Sequence, residues 1–209
     1  MVMQRNMRLI IILLFLTCIT ACGQQTKKLE QEKANQIDIV EPKQYALETV
    51  KNINLEYLDW DSLKINNQLP LLCKKISLIK LLGQPDSIVT PDMNDICVSY
   101  FGNDFKYVYF NESRFETYGD EVVISSINFE NNNKIKLNFG TLTLDNSLTL
   151  EQLETIFPIA VRDKSEIDIY RKVKADFVRL ATSKVKTDNA WLLFFKNGKL
   201  IRIDYWMPC

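Results

Sequence analysis

The chain has 209 residues, 26 basic and 26 acidic side chains and no histidine. Balanced charge leaves no global nucleic-acid footprint, and the missing imidazole removes Ser-His-Asp, Cys-His and zinc-hydrolase arrangements at once. Six glycines, with no Gly-x-Gly-x-x-Gly or Walker sequence, leave little material for cradling phosphates.

The first residues carry Arg5 and Arg8 and no acid, then an apolar run from Leu9 to Ile19, then Thr20-Ala21-Cys22-Gly23. This pattern reads as a secretory signal peptide over 1–21. The run is about half of the roughly 20 residues that a spanning helix needs. Ile19-Thr20-Ala21-Cys22 resembles the lipobox of bacterial lipoproteins. That resemblance implies cleavage before Cys22, acylation of its sulfur and a lipidated new amino terminus, and two or more acyl chains anchor stably. The implied partner is membrane lipid and the implied place is the cell envelope, the outer membrane if the organism is diderm, because Gly23 rather than Asp follows the cysteine. The alternative is an ordinary signal peptide cut near Ala21, with Cys22 left as a thiol.

Residues 22–44 are rich in Gln, Lys, Glu and Asn, too polar to offset the entropy of ordering, and read as a flexible tether. Residues 45–209 are rich in Ile, Leu, Phe and Tyr and read as one globular domain. Within it, Asp86 to Glu130 holds nine acids against Lys106 and Arg114, while Arg162 to Lys186 holds eight bases against four acids. With Cys18 in the signal and Cys22 lipidated, Cys73, Cys97 and Cys209 remain, enough for one disulfide whose pairing spacing does not reveal.

In chain order, Lys74 to Leu82 reads as a short helix stopped by Gly83 and Pro85. Cys97–Phe101 and Lys106–Phe110 read as strands joined by a Gly102-Asn103-Asp104 turn, and Val122–Phe129 with Ile135–Phe139 as a hairpin. Thr149 and Gln152 form a capping box before a helix ending at Pro158. Ile167–Leu180 reads as one or two strands, and Asn197-Gly198 joins Ala190–Phe195 to Leu200–Trp206 in a tight hairpin. The two hairpins align without a gap. The expected architecture is α+β, short helices packed on antiparallel sheet, in two tandem helix-plus-hairpin units over 62–140 and 141–209.

Leu81-Leu82-Gly83-Gln84-Pro85-Asp86, following a helix and preceding strands, resembles the SmpA/OmlA lipoproteins of outer-membrane assembly and the related beta-lactamase-inhibitor-protein fold. That resemblance implies two such units in tandem and binding of other proteins in place of catalysis. The second half, at Ile156-Phe157-Pro158, lacks the glycine and aspartate of the motif.

No catalytic residue, cofactor or metal set is assigned. Ser77-Leu78-Ile79-Lys80 matches Ser-x-x-Lys without the partner motifs of penicillin-recognising enzymes. Glu112, Glu116, Asp120 and Glu121 lack calcium-loop spacing and read as a solvated acidic loop. Aromatics remain: Tyr107 and Tyr109 share a strand face, Trp191 shares another with Leu193 and Phe195, and Phe194 points the opposite way. Core packing accounts for most of them, while Tyr107, Tyr109, Trp191, Phe194 and Trp206 are the candidate anchors for a partner, expected to be an envelope protein and not nucleic acid. An envelope hydrolase of cell-wall or carbohydrate substrates and a carrier of a small ligand or lipid are the competing readings.

Overall fold

Alternating apolar and polar residues favour strands, and strands dominate the computed structural model, which describes residues 56–130, 134–169 and 173–209. The main sheet is antiparallel, in the order β10 (Ser165–Ile169), β11 (Val173–Ala181), β12 (Ala190–Lys196), β13 (Lys199–Trp206), β7 (Glu121–Asn128), β6 (Ser113–Tyr118), β5 (Lys106–Phe110) and β4 (Ser87–Val89). Strand β3 (Leu72–Lys74) pairs with β7 beyond the point where β13 leaves it. A smaller sheet runs β2 (Leu69–Pro70), β1 (Lys64–Ile65), β8 (Leu137–Phe139) and β9 (Leu142–Leu144). The helices are short: α1 (Lys75–Leu82), α2 (Leu150–Ile156) and α3 (Pro158–Arg162).

Local chemistry places the ends of these elements. Asn197 and Gly198 both have positive φ, 52° and 73°, which suits the primed turn that joins two twisted strands through two residues. Gly83, at φ 94°, ends α1 and donates its N–H to the Ile79 carbonyl at 2.8 Å. Thr149 caps α2 reciprocally with Gln152, each backbone N–H donating to the other's side chain, at 2.9 and 3.2 Å. Pro158 closes α2 and opens α3 as its first residue, where its missing N–H costs nothing. Thr149→Ala is expected to lower stability by about 1 kcal/mol, read from the urea midpoint with an unchanged slope.

The expected α+β architecture of two helix-plus-hairpin units is overturned, since the described chain is predominantly antiparallel strand with three short helices. Ile135–Phe139 does not return along β7; its strand β8 pairs with β1 and β9. The tight turn between β1 and β2 captures it. Asn66 and Asn67 take positive φ there, and the Asn66 side chain accepts from the Lys136 N–H and donates to the Lys134 carbonyl, each at 2.8 Å. Asn138 accepts from the Asn67 N–H at 2.9 Å. The strand expected at Cys97–Phe101 is also absent. There the Tyr100 N–H goes to the Glu116 carboxylate and the Ser99 hydroxyl to the Gly102 carbonyl, so β5 takes β4 and β6 as neighbours.

One large core lies between the main sheet on one side and the small sheet and helices on the other. Leu78 of α1, Leu153 of α2, Val161 of α3 and Ile65, Leu137 and Leu144 of the small sheet join Phe115, Ile127, Val178, Trp191, Leu193 and Ile203 in it.

Candidate functional site

The strand period of two sends successive side chains to opposite faces, and the cross-strand register identifies each face. Ile127, Ile203, Leu193 and Val178 stand opposite one another across β7, β13, β12 and β11, and all four are core residues. The complementary row runs Tyr109, Arg114, Ser126, Asp204, Leu192 and Arg179 across β5, β6, β7, β13, β12 and β11. A second outward row is Asn128, Arg202, Phe194 and Phe177. Ile169, Ala175 and Phe194, with Ile167, Phe177, Leu192 and Ile201, form a separate apolar cluster there, built among the described residues from strands alone.

Four of the five aromatic candidates fall on this outer face. Tyr107 and Tyr109 are half-buried on β5, Trp206 is exposed at the end of β13, and Phe194 is 7% exposed. Trp191 lies on the opposite, core face with no accessible surface, so it has nothing to offer a partner. Its indole N–H donates to the Leu58 carbonyl at 2.8 Å, and its ring stacks on Trp60 at 5.3 Å.

Three of these four outward aromatics are matched with an arginine. Arg114 lies 4.6 Å over Tyr107, Arg179 4.7 Å over Trp206 and Arg202 5.9 Å over Phe194, geometry in which the ring face attracts the cation. Two of these arginines sit at breaks in strand register, between Arg114 and Phe115 against β7 and between Phe194 and Phe195 against β13. Such bulges re-aim neighbouring side chains. Between them opens a hollow of about 160 Å³ lined by Tyr109, Glu112, Arg114, Ser126, Asn128 and Arg202. Arg202 forks onto Asp204, its Nε 2.6 Å from Oδ1 and Nη2 2.8 Å from Oδ2. Arg114 donates through Nε to the Ser125 hydroxyl at 3.2 Å. The Asn128 amide donates to Glu112 at 2.9 Å.

Sequence reading missed the three arginines. Strand parity was available for Arg179 and Arg202 but not for Arg114, whose strand was not read from the sequence, and the cross-strand adjacency that puts each guanidinium over a ring was available for none of them.

The acidic segment is not the solvated loop expected of it. Glu116 belongs to β6 and is 5% exposed, and Glu121 begins β7. The Glu116 carboxylate accepts the Tyr100 N–H at 2.8 Å, which holds the 90–104 segment against the outer face. The segment is fixed a second time by the Cys97–Cys209 disulfide, with Cα atoms 5.5 Å apart. Cys73 stays a free thiol, pushed up to about 11 by burial.

Burial raises the Glu116 carboxyl above its ordinary range, against the lowering pull of the Tyr100 and Phe101 amides and the Arg114 guanidinium. Asp204 is raised for the same reason, against Arg202 and Arg114. Between the ordinary and the raised values the folded state holds protons that the unfolded chain has released, so stability falls as pH rises through that window. Glu116→Gln is expected to flatten this fall and to be at least as stable as the parent at neutral pH. Melting temperatures measured across the acidic and neutral range would check it, with the residual slope belonging to Asp204.

Ser77 and Lys80 lie on α1 with no hydrogen bond between them among the described residues. Cys22 lies outside the described residues. No model of a known protein family, no curated protein and no solved structure matches this chain.

Proposed function

We propose that this protein is a lipid-anchored lipoprotein of the cell envelope whose domain binds another envelope protein through the outer face of its main sheet. The observation that carries the reading is the set of three arginine–aromatic pairs on that one face, opposite the core. Arginine, tyrosine and tryptophan are the residue types that dominate binding hot spots. A guanidinium already stacked on a ring loses less freedom on binding than a free one. The adjoining half-buried Phe177, Leu192 and Ile201, packed on Phe194, supply apolar area beside the cations, the mix that interface centres favour. The partner is accordingly an acidic surface with apolar residues at its centre.

Anchoring through Cys22 rests on the lipobox, and the likeness of Leu81 to Asp86 to outer-membrane assembly lipoproteins points to the same compartment. No helix among the described residues is long and apolar enough to cross a membrane. Cys22→Ala is expected to abolish incorporation of labelled palmitate and to move the chain from the membrane fraction to the soluble one. Retention in the membrane fraction without label would contradict the anchor.

Docking is tested in native membranes with a chemical crosslinker and identification of the adduct by mass spectrometry. The double variant Arg179→Gln, Trp206→Ala, which changes two exposed residues, is expected to lower the yield of one defined adduct about tenfold, as loss of hot-spot contacts does. An unchanged yield from a folded variant rejects the assigned face.

A further inference from the structure

We infer that Tyr109, Arg114 and Ser126 form a receptor for a single carboxylate group, the anchor that the docked partner inserts into the outer face. The three residues are direct cross-strand neighbours on β5, β6 and β7, and all three line the same hollow. Arg114 spends its Nε on Ser125 and one face of its guanidinium on the Tyr107 ring. Its two terminal nitrogens have no acidic partner within ion-pair distance among the described residues, and the hydroxyls of Tyr109 and Ser126 have no protein hydrogen-bond partner there. Four N–H bonds of a planar fork and two hydroxyl donors therefore belong to residues that line one opening, a donor set that two carboxylate oxygens can satisfy. Arg202 is already neutralised by Asp204, which leaves Arg114 as the cation the ligand meets.

The hollow also selects by charge. Glu112 lines it, and Asp204 is the next residue in the row after Ser126. A dianionic phosphate would face both carboxylates, whereas a monoanionic carboxylate sets one charge against one guanidinium. An acidic side chain and a chain-terminal carboxylate present the same group, and the experiment separates them.

This inference rests on the outer face being the docking face, and its test is independent of any partner. The full chain, labelled with ¹⁵N-arginine and ¹⁵N-tryptophan and held in non-ionic detergent micelles, is titrated at constant ionic strength while the Arg114 Nε–H resonance is followed, assigned through its loss in Arg114→Lys. The probes are N-acetyl-aspartate methylamide for a side chain, N-acetyl-alanine for a chain end, N-acetyl-asparagine methylamide as the neutral control, and inorganic phosphate. The expected result is a saturable shift with at least one carboxylate, the tighter of the two naming the source. Tyr109→Phe with Ser126→Ala is expected to weaken it about tenfold while the Trp191 indole signal stays in place, showing an intact core. No saturation with either carboxylate, tighter saturation with phosphate, or an equal shift from sodium chloride would overturn the proposal. Carboxylate binding without a membrane adduct would keep this site and reject protein docking, and an adduct without carboxylate binding would do the reverse.

Discussion

Trp191→Ala is expected to lower stability by about 3–5 kcal/mol, the range for deleting a large buried aromatic. The indole has no accessible surface, and it packs on Trp60 at 5.3 Å and on Tyr205 at 5.3 Å. Its removal opens a cavity between rings that cannot collapse without moving β11 and β13, the strands on either side of β12. It also orphans the Leu58 carbonyl, which now accepts the indole N–H at 2.8 Å. Trp191→Phe isolates that second part and is expected to cost about 1–3 kcal/mol, the penalty for a buried acceptor left unpaired. For a domain of this size the alanine variant's melting temperature should fall on the order of 10 °C. Trp206→Ala supplies the contrast: its ring is exposed on the outer face with Arg179 over it, and its loss should cost no more than about 1 kcal/mol. Equal losses at the two positions, measured by urea unfolding, would contradict the assignment of core and outer faces.

Removing the Cys97–Cys209 disulfide is expected to cost about 2–5 kcal/mol, because the bond closes a long loop in the unfolded chain. Its two cysteines are 112 residues apart, and the closed span includes most of the main sheet. The local effect should be as distinct as the global one. Once Cys97 is free, the 90–104 segment is held by Tyr100, through its N–H bond to Glu116 and its ring 6.2 Å from Trp60, and by fewer restraints at its start. Limited proteolysis of the reduced protein should therefore cut first near the exposed Met93 and Val98, leaving β12 and β13 intact. Cys73 does not scramble the bond at neutral pH, since burial keeps its sulfur in the unreactive thiol form. A reduced protein with unchanged unfolding and no new cleavage would refute the role given to this clasp.

Elements governed by nearby residues were legible in the sequence. Gly83 stops α1, Thr149 and Gln152 cap α2, and Asn197 with Gly198 turns β12 into β13; each depends on residues within a few positions. Pairing was not legible, because alternation marks a strand without naming its neighbour. Ile135–Phe139 has the pattern of β13 yet joins another sheet, drawn there by Asn66, 68 residues before Lys134. Strand β6 was hidden because Arg114 and Glu116 break up its apolar residues, and both lie on the outer face, one over Tyr107 and one bonded to the 90–104 segment. Among the aromatic candidates, strand parity separated Phe194 from Trp191, Leu193 and Phe195, but it left open which of those faces was the core. The helices and the small sheet settle that by packing against Trp191, Leu193 and Phe195.

The most direct test of the docking face is a map of photo-crosslinking in living cells, with the photoreactive residue placed one position at a time. Tyr107, Leu192, Arg179 and Trp206 sample the outer face, and Ile76 on α1 and Ile156 on α2 sample exposed positions on the helices. The account predicts one protein adduct of constant mass from the outer-face positions and none from the helices. Adducts from Ile76 or Ile156 with silence across the outer face would contradict it.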